Sequence, residues 1–148
     1  MIVVACSNGR VIGKKLALHL GASYSELWKE VFPDGELHLK FKTALKGKEV
    51  ALVQSLSPNP NDSLVELVFA IKTAKELGAK KVVVVAPYLC YARQDKRFHG
   101  GEVVSNKIAS HLIQHAGADA FYTVAAHLHR VDSLSTLFSI KAVNVSIP

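Results

Sequence analysis

Cysteine is scarce in this chain. Cys6 and Cys90 are the only two in 148 residues, and neither sits in a CxxC or Cys/His spacing. A zinc cage and a disulfide framework are both excluded on that ground. Each cysteine ends an apolar run, so both read as reduced, small residues of the core or its margin. Long hydrophobic runs are missing as well: no window reaches the roughly 18 consecutive apolar residues of a membrane span. The opening MIVVACSNGR lacks a basic leader. The expectation is a soluble protein that stays in the cytoplasm. Internal repeats, low-complexity tracts and a concentrated basic segment are also absent. The net charge of +6 is spread along the sequence, which suits a small phosphorylated ligand as well as nucleic acid. Finally, no polar tail or closing helix comes after the last apolar run, and the chain stops at Pro148. That abruptness is expected of a domain cut from something longer, or of a natural half.

What is present is a repeating strand–helix pattern. At 49% hydrophobic, a chain of this length suits one domain, which buries roughly 68–70% of the surface its unfolded form exposes. MIVVAC reads as a buried strand. A helix comes next with Ile12, Leu16 and Leu20 on one face, closed by Gly21. In GELHLKF, Leu37, Leu39 and Phe41 alternate with His38 and Lys40, the period of a half-buried strand. Val50 to Ser55 forms another strand. A helix is expected from near Ser63, where Ser63-x-x-Glu66 has capping-box spacing, with Leu64, Leu67, Val68, Ile71 and Ala74 facing inward. KVVVVAP lacks polar alternation, so it is expected to be a central strand covered on both faces. Beyond it come a helix with Val104, Ile108 and Leu112 on one face and a strand near Ala120 to Ala125. A short helix near Ser133 to Phe138 and a strand near Ala142 to Val145 complete the order. This succession predicts a single three-layer α/β domain with a mainly parallel sheet.

Ligands of open parallel sheets bind outside the carboxyl ends of the strands, which selects three segments: CSNG, APYLCYARQDKRFHGGE and AAHLH. The second is richest in chemistry. Arg93, Lys96 and Arg97 are cations, Gln94 and Asp95 are polar partners, and Tyr88, Tyr91 and Phe98 supply rings. Forked guanidinium groups beside a point-charge ammonium suit a polyphosphate. Gly100-Gly101 lets the loop flex and presents the next helix's N–H groups to an anion. The plainer alternative is a solvated charged loop. His127 and His129 form an H-x-H pair at a strand end, with Asp132 as a possible third ligand for a transition metal; ordinary hydrogen bonding is the alternative. His111 and His115, four apart, read as a helix flank because no HExxH context accompanies them. Pro33-Asp34-Gly35 makes a good turn, and nothing local separates a turn from a binding element there.

Taken together, FPDGE, VQSLSPNPNDSLVEL, APYLCYARQDKRFHGGE and TVAAH, in that order, resemble the amino-terminal half of ribose-phosphate pyrophosphokinase. The likeness covers nearly all of residues 1–148. It implies a phosphoribosyltransferase-like fold and a diphosphotransferase that uses Mg²⁺ with ATP and ribose 5-phosphate. It further implies a homo-oligomer whose ATP pocket is shared between subunits, with neither nucleic acid nor membrane as partner. By resemblance Arg93, Gln94 and Asp95 lie in the loop that contacts ATP, with Arg93 near the adenine and phosphates, and Lys96 and Arg97 continue its basic run; Arg93, Lys96 and Arg97 are the expected catalytic residues. Phe32, Asp34 and Glu36 match the element that a neighbouring subunit contributes to the adenine pocket, and His127 matches the histidine near Mg²⁺ and the phosphates.

Two positions depart from the family's pattern. Lys96 replaces a frequent Arg, and Ala125 stands where an Asp is common. A shifted match would give His129 the role of His127. The strand-loop with two acidic residues and a T-x-G-T turn that grips ribose 5-phosphate does not occur in these residues, so the carboxy-terminal domain is expected to be absent and the chain inactive alone. Two other readings remain open: a regulatory or assembly module of the same family, and a metal-dependent hydrolase built on His127 and His129.

Overall fold

The computed structural model describes residues 1–124 and 134–146. Its centre is a six-stranded, wholly parallel sheet in the order β2-β1-β5-β6-β7-β8. The strands are β1 (Ile2–Ala5), β2 (Ser23–Glu26), β5 (Glu49–Val53), β6 (Lys81–Ala86), β7 (Ala120–Val124) and β8 (Lys141–Val145). A separate antiparallel hairpin joins β3 (Trp28–Val31) to β4 (Leu37–Lys40). Helix α1 (Arg10–Leu20) covers one face, where Ala17 meets Val3, Ala51 and Val53. Helices α2 (Pro60–Glu76) and α3 (Ser105–His115) cover the other, over the larger core of Leu52, Leu67, Ile71, Val84, Ile113 and Phe121. The three-layer α/β expectation therefore holds. Among the described residues, no helix is long and apolar enough to cross a membrane.

Several local expectations need correction. The strands β2 and β3 went unforeseen, because SYSE and WKEV carry too few apolar residues to signal burial. The GELHLKF strand exists as β4, but it pairs antiparallel with β3 outside the main sheet. Helix α2 starts at Pro60, earlier than Ser63, with Pro in its first turn where a missing N–H costs nothing. The short helix is a single 3₁₀ turn, Leu134–Thr136.

The inward faces of two helices also differ. Helix α1 buries Gly13 and Ala17, while Ile12 and Leu20 are exposed. Small residues permit the close approach: a Cβ at Gly13 would lie 3.1 Å from that of Ala5 and 3.3 Å from the Tyr24 ring. Helix α3 likewise buries Asn106, Ala109, Ser110 and Ile113 and leaves Ile108 and Leu112 exposed. Size complementarity at the sheet surface overrides the larger apolar stripe in both.

The order of strands reverses at β1. From β1 the chain passes through α1 to β2 on one side, whereas β5 passes through α2 to β6 on the other. The switch point thus lies between the carboxyl ends of β1 and β5.

Candidate active site

The carboxyl edge of the sheet holds two polar centres. At the switch point the chain has filled the crevice with its own side chains. Glu66 and Gln54, both fully buried, project there. The N–H and hydroxyl of Ser7 each donate to Glu66 Oε1 at 2.8 Å, and the N–H of Asn8 donates to Gln54 Oε1 at 2.8 Å. The Asn8 amide donates to Ser63 Oγ at 2.9 Å. Space is so limited that a Cβ at Gly9 would lie 1.9 Å from the Val53 carbonyl oxygen. The capping-box reading of Ser63 and Glu66 is therefore corrected: α2 has no side-chain cap hydrogen bond, and the Glu66 carboxylate faces the β1 loop. Cys6 lies beside it, its thiol pushed far up by burial and then by the Glu66 charge. Cys90, also buried and free, is raised to about 11 by burial. Neither thiol is a reactive group at neutral pH, in line with the core reading.

The second centre comes after β6 and is open. Residues 87–104 turn back on themselves and are held by a few local bonds. Tyr91 adopts the left-handed conformation at φ 61°, and its hydroxyl donates to Asn61 Oδ1 on α2. Glu102 organises the remainder of the loop. Its carboxylate accepts from Gln94 Nε2 at 3.1 Å and from the Phe98 N–H at 3.1 Å, and it meets His99 Nδ1 at 2.8 Å. These contacts, His99 foremost, hold the Glu102 carboxyl below the ordinary range. The Gln94 carbonyl accepts the N–H of Asn106 at 3.2 Å, tying the loop to the first turn of α3.

The resulting cavity, of about 710 Å³, is lined by Asp95, Lys96, Arg97, Glu102, Lys107 and His111 together with Gly101, Val103, Val104 and Ile108. Arg93, Lys96 and Arg97 are all exposed, and among the described residues none of the three forms an ion pair. Lys96 lies 5.3 Å from the centroid of the Phe98 ring. Asp95 Oδ1, both side-chain polar atoms of Asn106, and Thr123 Oγ1 at the end of β7 are buried without a hydrogen-bond partner among the described residues. An unmet buried polar atom costs about 1–3 kcal/mol. The edge therefore combines uncompensated cations with polar atoms that lack partners.

The expected site residues do not all meet. Asp95, Lys96 and Arg97 line one cavity; Gln94 lies in the same loop but turns onto Glu102, and Arg93 stays on the exposed surface. Phe32, Asp34 and Glu36 sit at the tip of the β3–β4 hairpin. There the Phe32 N–H donates to the Glu36 carbonyl at 2.9 Å, and Asp34 Oδ1 accepts the Glu36 N–H at 3.0 Å. The Phe32 ring stacks on His38, with centroids 5.3 Å apart. Glu36 opens onto a different cavity with Asp62, Val65 and Phe69, and none of its lining residues lines the loop cavity. His127, with Ala125, His129 and Asp132, lies outside the described residues.

Glu102, Lys107 and His111 were missed as cavity residues. Lys107 had a signal, a cation in the first turn of a helix entered through two glycines; Glu102 had only its position after them. Among the described residues no group of three or more His, Cys, Asp or Glu could hold a metal ion. A cation-lined cavity with one unpaired Asp95 oxygen fits Mg²⁺ carried on phosphate oxygens and its own waters, rather than one caged by protein.

Residues 1–117 match the family model described as the N-terminal domain of ribose phosphate pyrophosphokinase. A ribose-phosphate pyrophosphokinase of Methanobrevibacter smithii is 48% identical over 145 residues, covering 98% of this chain and 47% of that protein. One from Methanopyrus kandleri is 38% identical, covering 99% and 48%. The crystal structure of phosphoribosylpyrophosphate synthetase from Mycobacterium smegmatis superimposes with a TM-score of 0.87 at 25% identity, over 98% of this chain and 48% of the other. The chain thus spans about half the length of these relatives, and the likeness to the synthetase supports the phosphoribosyltransferase-like reading of the fold.

Proposed function

The chain belongs to the family of the N-terminal domain of ribose phosphate pyrophosphokinase, and from that premise we propose that it provides the ATP side of diphosphoryl transfer to ribose 5-phosphate. The observation that carries the reading is the set of cations Arg93, Lys96 and Arg97 on the loop after β6, which have no ion-pair partner among the described residues, two of them lining its cavity. In the reaction an acceptor hydroxyl oxygen bonds to the β-phosphorus of ATP. The bond from that phosphorus to the α,β-bridging oxygen breaks, AMP leaves with the electron pair, and the hydroxyl proton is released. Such transfer depends on positioning and on neutralising charge over the phosphate oxygens. Arg93 and Arg97 offer forked donors and Lys96 a point charge, and Lys107 joins Lys96 and Arg97 as a third cation lining the cavity. Mg²⁺, when bound, neutralises phosphate charge; Asp95 and His127 are the residues proposed to contact its water shell or the phosphates beside it.

Phe32, Asp34 and Glu36 are proposed to reach the adenine of a neighbouring copy in a homo-oligomer. Their separation from the loop cavity within one chain supports that arrangement. Ribose 5-phosphate is proposed to depend mainly on residues that correspond to the other half of the relatives, so the chain alone is expected to make little or no phosphoribosyl pyrophosphate. A cytoplasmic location belongs to the same reading.

Isothermal titration with Mg²⁺–ATP tests the core of this. The wild-type oligomer should bind, and Arg93→Ala should weaken binding about ten-fold or more, as expected for loss of a charged hydrogen bond. Absence of binding by the oligomer overturns the reading.

A further inference from the structure

The β3–β4 hairpin has an unusual attachment. Within β3, Trp28, Glu30 and Val31 are exposed, and Lys29 alone turns inward. Its ammonium donates to Glu66 Oε2 at 2.9 Å, with side-chain exposures of 22% for Lys29 and 1% for Glu66. The other Glu66 oxygen takes both donors of Ser7. One carboxylate therefore joins three parts of the fold: the hairpin, the loop after β1, and α2. The base of the hairpin is fixed nearby, where the Leu27 N–H donates to the Ala5 carbonyl at 2.9 Å. Across the hairpin Lys29 pairs with Leu39, which packs partly against the core, so β4 has an apolar hold and β3 has an ionic one.

A buried ion pair adds little net stability over a well-packed apolar substitute. What it adds is geometry, because a carboxylate with three donors fixes distance and direction where apolar contact would let the strand slide. We infer that Lys29 and Glu66 are positioning residues, which lock the β3–β4 hairpin at one placement against the sheet and so set where its tip, Phe32 to Glu36, is presented. The anchoring itself stands on the geometry alone. Only its consequence for nucleotide binding rests on the function proposed above.

The test uses the full chain without nucleotide. Single removal of Glu66 leaves a partly buried ammonium and both Ser7 donors without an acceptor and threatens folding, so the informative variant is Lys29→Met/Glu66→Gln, which buries no charge. Amide hydrogen exchange should quicken about ten-fold or more in β3 and β4 while β5 and β6 stay near wild-type rates. Lys29→Arg, which keeps the charge, should leave the hairpin protected. Wild-type exchange in the hairpin of the double variant overturns the inference, and so does an even acceleration across the whole sheet. Titrating the same variants with Mg²⁺–ATP separates the two readings. A loosened hairpin with weaker binding supports both, whereas a loosened hairpin with unchanged binding keeps the anchor and overturns the role given to the tip.

Discussion

Two centres on one sheet edge have opposite characters. At the switch point between β1 and β5, Ser7, Asn8, Gln54 and Glu66 satisfy one another, and a Cβ at Gly9 would collide with Val53. One strand further on, after β6, Arg93, Lys96 and Arg97 stand without ion-pair partners among the described residues, and there Asp95 Oδ1 has no hydrogen-bond partner either. The general rule for parallel sheets points to the first place, yet the free binding capacity lies at the second. A buried carboxylate already occupies the donors that an incoming anion would use at the switch point, so that position serves architecture. Polar chemistry becomes a site only where it is left unsatisfied.

The sharpest way to break this contrast is to cut the closed centre. Glu66→Ala should cost about 3 kcal/mol or more, because it leaves a partly buried Lys29 and both Ser7 donors without their shared acceptor, and a urea titration reads the loss directly. Gly9→Ala should rank next at about 3 kcal/mol, since the new methyl meets backbone oxygen that cannot rotate away; its urea midpoint should fall with little change in slope.

The open centre should respond in the reverse sense. Arg93→Ala should leave stability within about 0.5 kcal/mol, as for an exposed side chain, and act on nucleotide affinity instead. Thermal unfolding with and without Mg²⁺–ATP distinguishes the two, because only wild type should gain a large ligand-dependent shift.

The smallest effect concerns acid. The Glu102 carboxyl is held low by His99, Gln94 and the Phe98 N–H. Its contribution to loop order is therefore complete above the unfolded carboxylate pKa of about 4.3 and is lost as pH falls through the lower folded value. The Gln94 side-chain amide signals should change over that acid window. Glu102→Gln should abolish the transition.

Much of this was legible in residue order. The alternation of apolar runs and helical periods gave the α/β layers, and the unbroken KVVVVAP run gave the interior strand β6. The loop after it was visible because cations, rings and glycines gather where a sheet strand ends. The hairpin strand β3 was hidden, since WKEV owes its place to an ion pair and to β4 rather than to an apolar period. Glu66 was misread for a related reason: Ser63-x-x-Glu66 satisfies a local capping pattern, but its real partners, Ser7 and Lys29, are far away in sequence.

By itself, then, the sequence determined the layered class, the position of the cation-rich loop after β6 and the family likeness, because apolar period and local composition are short-range properties. Tertiary structure decided which helix faces are buried, that the switch point is filled from within, and that Phe32, Asp34 and Glu36 do not line the loop cavity. Those outcomes depend on size matching at the sheet surface and on charges paired across distant segments, which spacing along the chain does not encode.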